Sequence, residues 1–571
     1  MVAIRKAHLI LCCILVFGLI STACSKNDNK ATQNESSGTA QNASGGSEEP
    51  QSTGLPMVNG KYDPPVTLTT VRGVAAVTEY KNGETADDNV HYRWAKERLG
   101  IEINNLWSVV DTNSTYSNKI KLSLLSNEEL PDIVKANDAT ARLLIDSGKY
   151  ADAGALFDKY ASETWKKAIA EEPDVWNEFT RDGVRYGIPV LEPGYNTDPV
   201  LWIRKDWLDK LGLQPPKTIE EFEKVLDAFT NQDPDGNNQN DTYGIAAGMK
   251  GSFNDSCNFG WVFGAYGGMP HYWLKMPDDT LGYGSIQPGM KQGLAKIKEW
   301  VDKGYMPVEG SIWNESKAAS LVATGKAGMY AGPHWADVWP IVDWQKNIPE
   351  AEWLTVPLPT GPDGKSMHYS NLPYNGAIFI SKEMEHPEIF FTYANYLFEN
   401  QADPKPGSEF ENGWAKGYDW DIVDGQVTQD PEKIPGGAVN VIFYTLFNHG
   451  ANIPSLYMRS YIDSFAQGGP VTPNQKYWWN TATEVEREAA VNVWNSRQFS
   501  VHNAYTGAPT DTMQKKGEYL MKLEMETFGK IIFGDASVDE FDKFVEDWKS
   551  GGGDQMIQEV NDWYKSVGGS K

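Results

Sequence analysis

The most sharply patterned chemistry in this chain is a run of oxygen donors. In DPDGNNQND, Asp233, Asp235, Asn237 and Asp241 fall at every second position around Gln239, whose backbone carbonyl can complete the series. Hard oxygen ligands at that spacing suit Ca²⁺, which takes six to eight oxygens in a flexible loop. The loop is not an EF-hand: glycine stands at its fourth position rather than its sixth, and Gly244 falls where a bidentate glutamate belongs. A bound ion here would stiffen the loop. The alternative for the same residues is a solvated Asx-turn loop.

Aromatic rings offer a second chemistry. The chain carries 21 Trp, 26 Tyr and 21 Phe. Rings of this kind mostly pack cores, and Trp202, Trp207, Trp300 and Trp548, which sit on strand or helix patterns, read that way. Others lie in Gly/Pro-rich, loop-like settings: Trp261 between Gly260 and the Tyr266-Gly267-Gly268 run, Trp335 and Trp339 beside Gly332-Pro333, and Trp478 within Tyr477-Trp478-Trp479. Trp313 and the pair Tyr374-Asn375 have similar surroundings. A ring presented by a loop can stack on the apolar CH face of a sugar while Asp, Asn, Gln and Arg fix its hydroxyls. The candidate ligand-binding residues are therefore Trp261, Trp313, Trp335, Trp339, Tyr374, Asn375 and Trp478.

A third chemistry belongs to a thiol. Arg5 and Lys6 precede an apolar run from Leu9 to Ile20, the length of a signal-peptide core and too short to span a membrane. Ser21, Thr22 and Ala23 then lead to Cys24, a pattern that resembles the bacterial lipobox with Ser21 where leucine is usual. Residues 1–23 read as a signal peptide, and Cys24 as the lipidated first residue of the mature protein; a plain secretory signal cleaved nearby is the alternative. Residues 25–54 are Ser, Asn, Gln and Gly with almost no apolar side chain, so they cannot offset their ordering entropy. As a flexible coil they would span roughly 30 Å, which makes 24–55 a tether. Beyond it Cys257 stands alone, which excludes an intramolecular disulfide. A net charge of −26 argues against nucleic acid or anionic lipid as partners of the folded part.

Catalytic signatures are missing. No G-x-S-x-G, H-E-x-x-H, P-loop or G-x-G-x-x-G occurs, and there are eight His. With 77 acidic residues, carboxylate pairs arise by chance. The reading is a binding protein rather than an enzyme; a secreted glycosidase or lyase, and a binding protein serving a membrane receptor, remain the alternatives.

The elements that must hold these residues alternate between strand and helix. Val66–Gly73, Pro131–Lys135 and Leu201–Ile203 read as strands; Asn89–Leu99, Asp206–Leu211, Lys291–Lys303, Phe541–Trp548 and Met556–Tyr564 read as helices. Thr218–Phe229 is the strongest helix, with Thr218 as cap, Glu221 completing a capping box, and Phe222, Val225, Leu226 and Phe229 on one face. The alternation predicts an α/β protein of two lobes between which the chain crosses more than once.

Four segments resemble the family 1 extracellular solute-binding proteins: Pro131-Asp132-Ile133, LWIRKDWLDKLGLQPPKT at Leu201–Thr218, KAASLVATGKAGMYAGPHW at Lys317–Trp335, and NGAIFISKEMEHP at Asn375–Pro387. The length and the anchor are most similar to the large lipoprotein branch near the alginate-oligosaccharide-binding proteins, whose calcium loop the Asp233–Asp241 stretch also resembles. The resemblance implies a type II periplasmic-binding-protein fold, like that of maltose-binding protein, with an inter-lobe cleft. It spans 56–565, one lobe from about 56–197 with part of 374–500, the other from about 198–373 with the C-terminal helices. It implies an oligosaccharide ligand, with Trp335 stacking on the sugar although His334 is inserted before it. It further implies delivery to ABC-transporter permease subunits, as a monomer on the extracellular face of a cell membrane, in a Gram-positive bacterium.

Overall fold

In the computed structural model, which describes residues 55–567 apart from 76, 77, 113, 127, 251, 252, 254, 255, 339, 340, 342, 343 and 535, the frame is a set of short strands. In chain order they are β1 (Val66–Ala75), β2 (Ile101–Asp111), β3 (Ile133–Ala136), β4 (Gly187–Leu191), β5 (Val200–Arg204), β6 (Met329–Gly332), β7 (Trp353–Val356), β8 (His368–Tyr369), β9 (Tyr374–Ile380) and β10 (Ser500–Val501). Cys24, the signal and the tether lie outside the described residues.

Two sheets define two lobes. In the first, β9 lies between β3 and β4 and runs antiparallel to both. The parallel pair β1–β2 abuts β3 through side chains: Asp132 Oδ2 accepts from the Thr69 amide at 2.7 Å and from its hydroxyl at 2.8 Å. In the second lobe β5 is central, antiparallel to β6 and β7.

Every residue of β5 is buried, and the pleat explains how VLWIR satisfies two cores at once. Leu201 and Ile203 face one core, built with the helices Ile219–Asn231, Pro288–Asp302, Asp511–Ile532, Glu540–Trp548 and Asp554–Ser566. Val200 and Trp202 face the other, with Ala318, Ala319 and Val322 and with Tyr457, Tyr461 and Val493 from the helices Leu456–Gln467 and Glu484–Ser496. A sheet covered on both faces needs strands without polar alternation. The helix Ile219–Asn231 buries Phe222, Val225, Leu226 and Phe229, as its periodicity predicts. Its cap differs in one respect. Thr218 Oγ1 accepts from the Glu221 amide at 3.3 Å, but Glu221 reaches back to the Lys217 amide at 2.8 Å rather than to Thr218.

Among the described residues the chain passes between the lobes at 192–199, 370–373 and 448–455. The first passage touches both others: the Glu192 amide donates to Pro373 O at 2.9 Å, and the Gly194 amide to Pro454 O at 2.8 Å. Asp198, fully buried, is the knot. It accepts from Ser370 Oγ at 2.6 Å and from Ser500 Oγ, and His368 Nε2 lies 3.4 Å away. Ser370 belongs to the second passage, and His368 and Ser500 to the parallel pair β8–β10. Buried polar oxygens need hydrogen-bond partners, and because these come from remote parts of the chain the site fastens the connecting segments to one another.

Candidate functional site

A cavity of about 630 Å³ opens over these passages. Its floor and walls come from the passages themselves (Glu192, Asn196, Thr197, Asn371), from the β3 and β9 ends (Asn137, Tyr374, Asn375), from His449, and from the second lobe (Tyr272, Asn503, Tyr505). The cleft is thus rich in Asn and Tyr, with two carboxylates, Glu178 and Glu192. Amides and hydroxyls both donate and accept, which matches a ligand that presents many hydroxyl groups.

Local backbone geometry aims the β9 residues. The pairing of β9 with β4 slips between Tyr374 and Ala377, and Gly376 adopts φ +69°. A Cβ there would sit 2.6 Å from Ala136 O, so only glycine fits. The bulge brings Tyr374 and Asn375 to the cleft wall, where a regular strand would alternate its side chains between the two faces. Tyr374 donates its hydroxyl to Glu178 Oε2 at 2.5 Å, and its ring meets Phe179 edge-on. Asn375 Nδ2 is 3.5 Å from His449 Nδ1, and His449 Nδ1 is 3.3 Å from Glu192 Oε1. Burial lowers the pKa of His449, with Glu192 opposing and Lys135 adding to the shift. Burial pushes the Tyr272 hydroxyl up, and takes that of Tyr505 to about 12. Both phenols therefore stay neutral donors.

The sequence-predicted ligand residues divide. Tyr374 and Asn375 line the cleft. Trp335 does not line it, but stands directly behind: its indole Nε1 donates to Asn196 O at 2.7 Å, fixing a cleft-lining residue. The inserted His334 is fully buried, with Nε2 2.8 Å from the Tyr457 hydroxyl, and burial takes its pKa down to about 3. Trp261 is a correction. It is 1% exposed within the second lobe's core, edge-on to Phe222 with centroids 5.3 Å apart, so neither of its faces is open to a sugar. Its Gly/Pro-rich neighbourhood forms a short helix, Gly260–Ala265, buried throughout. Trp478 lies on the helix Pro473–Thr481 beside a separate cavity of about 80 Å³, and Trp313 is half-buried under Lys317 Nζ, 5.6 Å from its ring. Neither borders the cleft. Trp339 lies outside the described residues.

Sequence reasoning missed Asn137, Glu178, Glu192, Asn196, Asn371, His449 and Asn503. Each is a single polar residue with no spacing to mark it, Glu178 in the short 3-10 helix Pro173–Phe179 and the others in connections. The one available signal was the position of Asn196-Thr197 just before β5, at the predicted lobe crossing.

The Asp233–Asp241 loop is a network of Asx turns. Asp233 Oδ2 accepts from the Asn238 amide at 3.1 Å, and Asn237 Oδ1 from the Gln239 amide at 2.6 Å. The Asn237 amide group bridges Asp235 Oδ2 at 2.8 Å and Asp241 Oδ1 at 3.0 Å, and Lys326 pairs with Asp241. Burial raises the Asp235 pKa, while the Asn237 amide lowers it and the Asp233 carboxyl raises it further. Asp233 Oδ1 is buried without a partner. Among the described residues no three His, Cys, Asp or Glu groups converge as a metal cluster. The donor set still fits a hard cation, because it supplies carboxylates, an amide oxygen and one orphaned buried oxygen, all oxygen chemistry.

Known proteins resemble this chain over most of its length. A model of the bacterial extracellular solute-binding protein family matches residues 77–404. The polygalacturonan/rhamnogalacturonan-binding protein YtcQ of Bacillus subtilis is 24% identical over 78% of this chain and 82% of its own. Lipoprotein LipO of the same organism is 23% identical over 84% and 90%. Among solved structures, an HMO-binding ABC-transporter-associated solute-binding protein from Bifidobacterium longum infantis superposes with a TM-score of 0.61 at 17% identity, covering 89% of this chain and all of that one. The alginate-binding protein AlgQ2, solved without calcium ion, gives 0.54 at 17% identity, covering 88% and 98%. These structures share the two-lobe fold.

Proposed function

We propose, from the premise that this chain belongs to the bacterial extracellular solute-binding proteins, a family of binding proteins rather than enzymes, that it captures an oligosaccharide for an ABC importer. The observation that carries the reading is the cleft of about 630 Å³, lined by Asn and Tyr side chains and floored by the segments that join the lobes. A ligand there touches both lobes at once, so its contacts favour whichever arrangement brings the lobes together. The closed arrangement then docks as a monomer on the permease subunits. Asn196, Asn371, Asn375 and Asn503 fix hydroxyls, and the ring faces of Tyr272, Tyr374 and Tyr505 take the stacking role. Trp335 acts through Asn196. The ligand names carried by the relatives, polygalacturonan and alginate among them, support a saccharide ligand.

Cys24 would carry the lipid that holds the protein on the extracellular face of the membrane of a Gram-positive cell, with residues 25–54 as the tether. Among the described residues no helix is long and apolar enough to cross a membrane. Metabolic labelling with a palmitate analogue tests this: Cys24→Ser should abolish label and release the protein into the medium.

Ca²⁺ would be held in the Asp233 loop by Asp233, Asp235, Asn237, Asp241 and the Gln239 carbonyl, and would supply only rigidity. Chelator should lower Tm by several degrees, and elemental analysis should find about one Ca²⁺ per chain; an unchanged Tm with no metal reduces the loop to Asx turns. For the function itself, a thermal-shift screen against plant and microbial oligosaccharides, followed by calorimetry, should yield a micromolar or tighter ligand that is recovered unaltered. Turnover of every bound sugar would overturn the transport reading.

A further inference from the structure

At the first lobe's end the cleft continues into a recess of about 200 Å³, with Asn137 and Asn375 shared between the two. Two cations line it, Arg72 from β1 and Lys135 from β3. Arg72 is buried and spends its guanidinium on neutral acceptors: Nη1 donates to Tyr444 O at 3.0 Å and Thr445 O at 3.2 Å, and Nη2 to Phe443 O and to Asn448 Oδ1 at 3.2 Å. None of these carries charge. Lys135 forms no ion pair among the described residues. The carboxylate that acts on it, Glu192, lies 3.3 Å from His449 through its own Oε1. Asp111 also lines the recess, but it is exposed and accepts the Tyr116 amide at 3.1 Å. Two neighbouring cations, Arg72 held by neutral acceptors alone and Lys135 in no ion pair among the described residues, are costly in such part-desolvated surroundings unless something negative completes them. Burial takes the Lys135 ammonium down to about 8, Glu192 opposing and Arg72 adding, as expected for a cation short of a partner.

We propose that this recess is a carboxylate subsite, in which Lys135 receives the acid group of a uronate unit while the rest of the saccharide runs past Asn137 and Asn375 into the main cleft. The inference rests on the carbohydrate-binding reading and narrows it to acidic oligosaccharides. It also gives the ligand a direction. Glu178 and Glu192 stand in the main cleft, where a second acid group would meet like charge, so the charged unit belongs at the Lys135 end and hydroxyl-bearing units beyond it.

Calorimetry on the purified mature protein tests this with matched pairs: trisaccharides of galacturonate, mannuronate, guluronate and glucuronosyl-xylobiose, each against its carboxyl-reduced neutral twin, with sodium acetate as the free anion. At least one acid member should bind, its twin about 10–100-fold more weakly. Lys135→Met should erase most of that difference without lowering Tm, since Lys135 is only half-buried and forms no ion pair among the described residues, and Lys135→Arg should restore part of it. Three results would overturn the subsite: equal affinity for acid and twin, an acid preference that survives Lys135→Met, or an acetate response as large as that of the trisaccharide. Binding of neutral sugars alone overturns the subsite and leaves the transport reading standing. Binding of no saccharide of either kind overturns both.

Discussion

The core of the second lobe and the cleft use the same side-chain classes to opposite ends. In the core, Trp261, Trp300 and Phe222 are closed in on each other, and a polar atom there is a burden unless it finds a partner: Trp300 Nε1 donates to Glu223 Oε1 at 3.0 Å, whereas Trp261 Nε1 is buried without one. In the cleft the large rings are tyrosines, each with a hydroxyl for a ligand or a neighbour, and asparagines make up much of the remaining polar lining. A Gly/Pro-rich setting did not separate the two, because tight turns are needed inside a packed lobe as well as on its rim.

The contrast breaks most clearly at Trp261. Trp261→Ala should cost about 3–5 kcal/mol of stability in urea denaturation, as for other buried rings, while sugar affinity of the folded fraction changes by less than threefold. A stable variant with weakened binding would put the ring in the site after all.

Next in size is a buried carboxylate on the other face of that lobe. Burial pushes Glu486 up to about 7, with the charge of Asp337 adding to the rise. A folded-state value above the unfolded one of about 4.3 means that the native state holds the proton more tightly. Stability should therefore be fullest below about pH 4.3 as far as this group is concerned, and fall as pH rises toward 7, by on the order of 1–3 kcal/mol. Glu486→Gln keeps an acceptor for the Thr483 cap and should flatten that slope in Tm-versus-pH scans. Cleft affinity should stay unchanged, and a slope that persists in the variant would assign it to another group.

The cleft side is sharpened by Asn375→Ala. Losing one amide that meets the ligand should weaken the sugar about tenfold by calorimetry, with Tm within two or three degrees of the parent. A loss of fold instead would make Asn375 part of the β9 bulge rather than of recognition.

The smallest effect discriminates most finely. Trp335→Phe keeps a ring that can stack but removes the donor to Asn196 O. If Trp335 holds Asn196, the Phe and Ala variants should weaken binding alike, roughly three- to tenfold. Recovery of full affinity by Phe would return Trp335 to direct stacking.

The fold was largely legible because it rests on local rules. The 3.6-residue period of Phe222, Val225, Leu226 and Phe229 and the Thr218 cap are written in consecutive residues, and the doubly buried β5 shows as the apolar run Val200–Ile203 before Arg204. The site was only partly legible. Tyr374-Asn375 stood out, whereas Asn137 and Asn503, separated by hundreds of residues, share a cavity only because the end of β3, the lobe passages and the segment after β10 come together in the folded chain. Trp335 stood out as a ring beside Gly-Pro, but that its indole N–H donates to Asn196 O could be seen only in the folded chain.

By itself, then, the sequence determined the α/β class, the alternation that builds two lobes, the oxygen-rich loop at Asp233–Asp241 and the thiol at Cys24, since each depends on spacing along the chain. The tertiary structure alone decided which rings are core and which border the cleft, how one buried aspartate fastens connecting segments between the lobes, and that Lys135 and Arg72 share one recess in which neither forms an ion pair among the described residues. Those properties depend on burial and on distances between remote segments, and no local pattern encodes either.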